Sequence, residues 1–270
     1  MTIAVVLLLY ITASLGFISY LFSRRNTLLI PLRIIYILCL LGHTAFVINL
    51  WHGAGQLPVA TPLEALNIII LFSSLAFAPF VMKKGTTVLA AFFLPVATFV
   101  LAFIAPSLQS VPESLMGSYR YFYPLHTLSV IAGEAFFLVA AIVSVVYLLH
   151  ERSIRKGHIH SSASALPPLT LLDSILYLSL ALGFFSITAG MIFGGLWASV
   201  MGLRFGPMAP KVFAGALMWL VFGLGLHQRF AIGWKGRRTA VITLIGFVLM
   251  VLLFVGITIA FPDSHGIRLI

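Results

Sequence analysis

The chain has 270 residues, 61% hydrophobic and only 8% charged, and its 16 lysines and arginines against 6 acids give a formal net charge of +10. A soluble domain carries roughly a quarter of its residues as charged groups, so a soluble fold is excluded and the chain reads as a polytopic membrane protein. The basic excess fits loops held on one side of a bilayer rather than nucleic-acid binding, and the single cysteine, Cys39, supports neither a disulfide pair nor a thiolate zinc site.

A helix that crosses a bilayer needs about 20 apolar residues. Eight such stretches follow one another, over roughly 3–22, 28–50, 63–82, 87–105, 125–149, 171–197, 210–228 and 240–261. Backbone groups in lipid must bond within their own segment, so the expected fold is an all-α bundle of about eight transmembrane helices, one membrane domain over residues 1–270. Pro95 is expected to kink the fourth helix and Pro79 to bend the end of the third. Thr61 is placed to cap the third, with Pro62 opening it and Glu64 in its first turn.

The cations alternate along the chain. Arg24, Arg25 and Arg33 surround the first connection, Lys83 and Lys84 the third, Arg152, Arg155 and Lys156 the fifth, and Arg229, Lys235, Arg237 and Arg238 the seventh. Only Arg120, Arg204, Lys211 and Arg268 fall on the other side. The positive-inside rule then places both termini outside. With no basic residues ahead of it and Arg24-Arg25 behind it, the first span reads as an uncleaved anchor that enters N-terminus outward.

This orientation sorts the histidines. His52, His126 and His265 fall at the outer face, His43 within the second span, His150, His158 and His160 at the cytoplasmic end of the fifth and its loop, and His227 near the cytoplasmic end of the seventh. Two neutral imidazoles at one face, His126 and His265, are a donor set that can hold haem iron from both sides against an apolar shelf; the plainer reading is polar groups at headgroup level. His227 either faces a cavity or partner, or snorkels to the headgroups beside Arg229. Glu134 lies near the bilayer centre, where a carboxyl must be protonated or paired, with Ser129, Thr188, His43 or a ligand as possible partners. Glu134 and His43 form a candidate intramembrane polar site but are too few for a proton path. Gly190, Gly194 and Gly195 on the sixth span fit close helix packing. The stretch from Ser199 to Lys211, with one aromatic, two prolines and two cations, is expected to be a loop. No P-loop, HExxH, GxSxG or dinucleotide-binding signature is present, so the sequence offers no catalytic constellation.

Four patches, in order, resemble the integral membrane cytochrome c assembly family, which includes the CcsA, HemX and YpjD-like branches. They are the outer segment from His52 to Leu66, Leu125-His126 with its helix ending LLHERSIRK, the pair LPPLTLLDSILY and GFFSITAGMIFGGLWA, and the run LHQRFAIGWKGRRTAVITLIGFVLMVLLFVG with its G-W-K-G-R-R signature. The similarity spans roughly residues 52–265. It implies an inner membrane protein of a bacterium, periplasmic termini, and haem binding or handling in cytochrome maturation. Apocytochrome c or another membrane assembly protein is the implied partner. By position, His126, His265 and His227 match the histidines that handle haem in the CcsA branch. The tryptophan-rich loop of that branch ends W-D-P-K-E. Here the stretch is MGLRFGPMAPKVFAG, in which Pro210 and Lys211 survive, Ala209 replaces the acid and Phe205 is the lone aromatic, with Trp197 just ahead of it. That departure is closest to the YpjD-like proteins and motivates an alternative, a haem-free accessory or regulatory membrane protein built on the same bundle.

Overall fold

The structure is a computed structural model that describes residues 2–55, 57–59, 61–109, 122–157, 166–200, 202 and 205–260, the side chains of residues 109 and 205–208 excepted. Eight helices follow in chain order: α1 (Ile3–Ser23), α2 (Leu29–Ala54), α3 (Pro62–Met82), α4 (Ala90–Ile104), α5 (Phe122–Arg155), α6 (Leu169–Val200), α7 (Phe205–Ala231) and α8 (Arg237–Ala260). Each is long and apolar enough, α4 together with the tight turn that leads into it, to cross a membrane, as the apolar runs require. There is no strand among the described residues.

Local chemistry sets the helix ends. At the start of α3, the Thr61 side chain accepts from the Glu64 amide (3.2 Å) while Glu64 Oε2 accepts from the Thr61 amide (3.1 Å), with Pro62 supplying a first-turn residue that has no N–H to leave unpaired. Thr61→Ala removes half of this reciprocal pair and is expected to lower stability by about 1 kcal/mol, read as a small fall in the detergent melting temperature. Pro79 and Pro95 both lie within helices, α3 and α4. Three ends differ from expectation. α2 continues past Leu50 to Ala54 and stops where Gly55 turns left-handed (φ 66°), so His52 sits on the helix. α5 starts three residues early, with Pro124 accommodated in its first turn. Third, most of the expected Ser199–Lys211 loop is helix: α6 runs to Val200 and α7 starts at Phe205, leaving residues 201–204 between them. Pro207 falls in the first turn of α7, where no amide hydrogen bond is needed, and Pro210 lies further inside the same helix.

α5 is the most buried span and α7 and α8 the least. At 34 residues, α5 is about 50 Å long at 1.5 Å per residue, well beyond a bilayer core of about 30 Å. It packs most extensively on α6. The approach is close because glycines face side chains across the seam: a Cβ on Gly133 would lie 2.5 Å from Ile187 Cγ1, and one on Gly183 would lie 2.5 Å from Phe137 Cε1. Phe137 in turn stacks on Phe222 of α7 (3.6 Å between centroids, 11° between planes). Between α3 and α4, Phe77 stacks on Phe93 (4.3 Å, 15°).

One end of the bundle gathers the basic residues. There Arg229 of α7 grips Asp173 of α6 with both guanidinium arms (2.9 and 2.7 Å) and lies over the Tyr177 ring (4.6 Å). Asp173 also accepts the Gly236 amide (2.7 Å). Gly236 has φ 65°, so the G-W-K-G-R-R turn favours glycine at this position, and a Cβ there would lie 2.5 Å from the Tyr147 hydroxyl. Arg237 approaches Glu151 of α5 (3.6 Å), which also pairs with Arg155 (2.9 Å). The ends of α5, α6, α7 and α8 are thereby tied at one level.

Candidate functional site

His126 lies in the second turn of α5, at the end of the bundle opposite the basic cluster. α6 links the two ends, since its Asp173 joins Arg229 while its Gly190 and Trp197 meet His126. The His126 Nδ1 stands 2.7 Å from the Gly190 carbonyl oxygen. A carbonyl only accepts, so Nδ1 carries the proton. Nε2 is then the nitrogen with the free lone pair, and it makes no hydrogen bond among the described residues. The half-buried imidazole lies against Gly194, where a Cβ would come within 2.6 Å of Nδ1 and 2.8 Å of Cε1. Trp197, buried one turn further along α6, holds its indole nearly parallel to the imidazole (11°, 6.4 Å between centroids) and packs on Tyr123 (5.3 Å). Tyr123 donates to the Val59 carbonyl (3.3 Å), which ties this corner to the segment between α2 and α3. An apolar layer of Val47, Val59, Ile68 and Ile131 backs it.

The other sequence-selected residues are dispersed. His265 lies outside the described residues. His227 is exposed on α7 at the opposite end from His126; two residues on a helix differ by about 200°, so it faces away from the inward-turned Arg229. Phe205 opens α7, while Pro210 and Lys211 are half-buried further along that helix. Of this loop group, Trp197 is the member placed beside His126.

Glu134 is half-buried on α5, two turns along from His126, and forms no hydrogen bond with any of the partners considered from sequence. Thr188 instead donates to the Phe184 carbonyl (2.7 Å) and accepts from Trp219 Nε1 (2.9 Å). His43 is fully buried in a separate polar centre among α1, α2 and α3. Its Nε2 faces Asn67 Oδ1 (3.0 Å) and its Nδ1 faces the Tyr10 hydroxyl (3.1 Å), which also meets Ser74 Oγ (2.7 Å). Tyr36 donates to the Ser74 carbonyl (2.6 Å). Both ring nitrogens of His43 are engaged, so it has no lone pair to offer an iron and no bond to Glu134. Among the described residues no cluster of His, Cys, Asp and Glu could hold a bare metal ion.

Sequence reasoning missed the groups that hold His126. The Gly190 carbonyl has no side-chain identity to read. Gly194 reads as packing, and only its distance to the imidazole gives it a second role. The spacing Gly190-x-x-x-Gly194 was the available signal.

The sequence signature of the family described as cytochrome C assembly protein matches residues 2–262. Relatives carrying the name "Cytochrome c biogenesis protein CcsA" are similar over most of both chains. The one from Synechococcus sp. is 24% identical over 248 residues, covering 83% of this chain and 82% of its own length. That from Prochlorococcus marinus subsp. pastoris is 24% identical over 269 residues, 91% of this chain and 85% of its own.

Proposed function

The chain belongs to the cytochrome c assembly protein family, and on that premise we propose that this integral membrane protein works in cytochrome c biogenesis by binding and handling haem. The observation that carries the haem reading is His126: one nitrogen is engaged by the Gly190 carbonyl, the other has its lone pair free. This is the state an axial ligand requires, since a metal-bound imidazole uses one nitrogen and commonly donates from the other to a carbonyl or carboxylate. His126 therefore fits haem iron as one ligand, and His265 is the proposed second. His227, exposed at the opposite end of the bundle, is a candidate ligand at a separate position. Haem held at His126 would supply the group that a c-type cytochrome receives.

The surrounding residues have definable tasks. Gly194 and Trp197 hold the imidazole plane, and the apolar layer behind Tyr123 keeps water from the inner side of the ring. The proposed setting is the bacterial inner membrane, with the basic end in the cytoplasm. His126 then stands at the periplasmic side, with both termini. There it would meet its proposed partner, apocytochrome c or a membrane protein that assembles it. The names of the relatives support a role in cytochrome c biogenesis.

Deleting the gene from its host is expected to remove most covalently haem-bearing c-type cytochromes from haem-stained gels, and a plasmid copy to restore them. Undiminished bands in the deletion strain would contradict a role in their assembly.

A further inference from the structure

We infer that Gly194 and the Gly190 carbonyl are positioning groups that fix the tautomer and the plane of His126, and that Trp197 serves as a wall for this imidazole rather than as a shelf for a porphyrin. The inference rests on the haem reading for its purpose but not for its geometry.

Three observations meet at this ring. The 2.7 Å contact to a group that can only accept puts the proton on Nδ1. This is the less favoured tautomer of an unconstrained imidazole, so the bond selects it. The contact reaches across 64 residues from α5 to a backbone atom of α6, and an atom on the helix backbone has little freedom to follow the ring if the ring moves. Gly194 lies one turn beyond Gly190 and is the reason that the ring can reach the carbonyl. Any β-carbon there would overlap Nδ1 and Cε1, the two ring atoms nearest the hydrogen bond, at 2.6 and 2.8 Å. The ring would have to lift away from α6, and the bond would lengthen or break. The neighbouring Gly195 differs: a β-carbon there meets nothing within 4 Å. Two adjacent glycines on one helix thus have separable roles, one touching the imidazole and one not.

Trp197 completes the slot. An imidazole binds metal in its own ring plane, and the macrocycle of a haem stands perpendicular to the bond so formed. An indole within 11° of the imidazole plane therefore stands edge-on to any haem carried by Nε2. It limits rotation of the imidazole and leaves stacking on the macrocycle to other groups. This gives the surviving tryptophan a use that the lost tryptophan-rich loop does not account for.

The test is nitrogen NMR on the full chain labelled with [15N]histidine, first without haem, with His126→Ala used to assign the resonance. The wild type is expected to show a protonated Nδ1 and an unprotonated, pyridine-like Nε2. Gly194→Ala is expected to lose that pattern, and Gly195→Ala to keep it. Titrated with haem, Gly194→Ala is expected to bind about 10–100-fold more weakly than wild type, the usual cost of losing the partner that orients a metal-binding histidine, while Gly195→Ala binds as wild type. A protonated Nε2 in the wild type would overturn the inference, and that spectrum needs no variant to fold. Retention of the wild-type pattern and affinity in Gly194→Ala would overturn the role of Gly194. A wild type with the expected tautomer that takes up no haem supports the positioning geometry and sinks the haem reading instead.

Discussion

His126→Ala is expected to cut haem-stained c-type cytochromes at least about tenfold in a strain that depends on this protein, with the amount of the protein in the membrane nearly unchanged. Both halves follow from the geometry. The substitution removes an imidazole whose Nε2 is free to bind iron at this end of the bundle; both nitrogens of His43 are engaged, and His150 and His227 stand at the other end. Loss of one metal ligand is expected to weaken haem binding at least that much, since a factor of ten corresponds to only about 1.4 kcal/mol. The fold is spared because the α5–α6 seam is held by Gly133, Gly183 and Phe137, well away from the ring. One hydrogen bond to a half-buried group is worth about 1 kcal/mol. Haem-stained gels read the first expectation and an immunoblot of the tagged chain the second. Equal losses in both would mean that the variant misfolds, which the seam geometry argues against.

The largest stability effect is expected at the other end. Asp173→Ala leaves Arg229 without its two-armed acceptor and strands the Gly236 amide. The pair is only 10% and 14% exposed at its side chains, so little water can replace the carboxylate. Removing one member of a buried pair costs about 3–5 kcal/mol; the residual exposure reduces this to about 2–4 kcal/mol. At this chain length the melting temperature in detergent is expected to fall by about 5–10 °C. Asp173→Asn retains one acceptor and should lose about half as much. A melting temperature within 1–2 °C of wild type would show that the pair is too well solvated to matter.

The helices were legible because lipid leaves a chain few options, and runs of apolar residues near 20 long are hard to misread. Their ends were less so. Hydropathy falls at Glu151, Arg152 and Arg155, yet α5 continues through them, helped by the Glu151–Arg155 pair one turn apart. Pro207 and Pro210 look like loop residues because proline breaks helices in their interior, but Pro207 falls in the first turn of α7, which tolerates it, and the helix carries Pro210 inside it. The site was half legible. A histidine near an outer helix end could be picked out by its position. Its tautomer could not, because it depends on a carbonyl 64 residues away. Likewise, His43 as a partner for Glu134 was a reading along single helices. Its actual partners, Tyr10 and Asn67, lie on two other helices, 33 and 24 residues distant. Hydrogen-bond geometry between helices is set by packing, which a single segment does not encode.

The central claim, that His126 carries haem, is tested most directly by absorption spectroscopy of the purified full chain, oxidised and then reduced with dithionite, with a pyridine haemochrome assay for stoichiometry. The account predicts a Soret band at a near-equimolar haem content in the wild type, lost or shifted in His126→Ala and retained in Gly195→Ala. A protein that stays colourless after expression with added haem, or one whose spectrum is identical in His126→Ala, would contradict it.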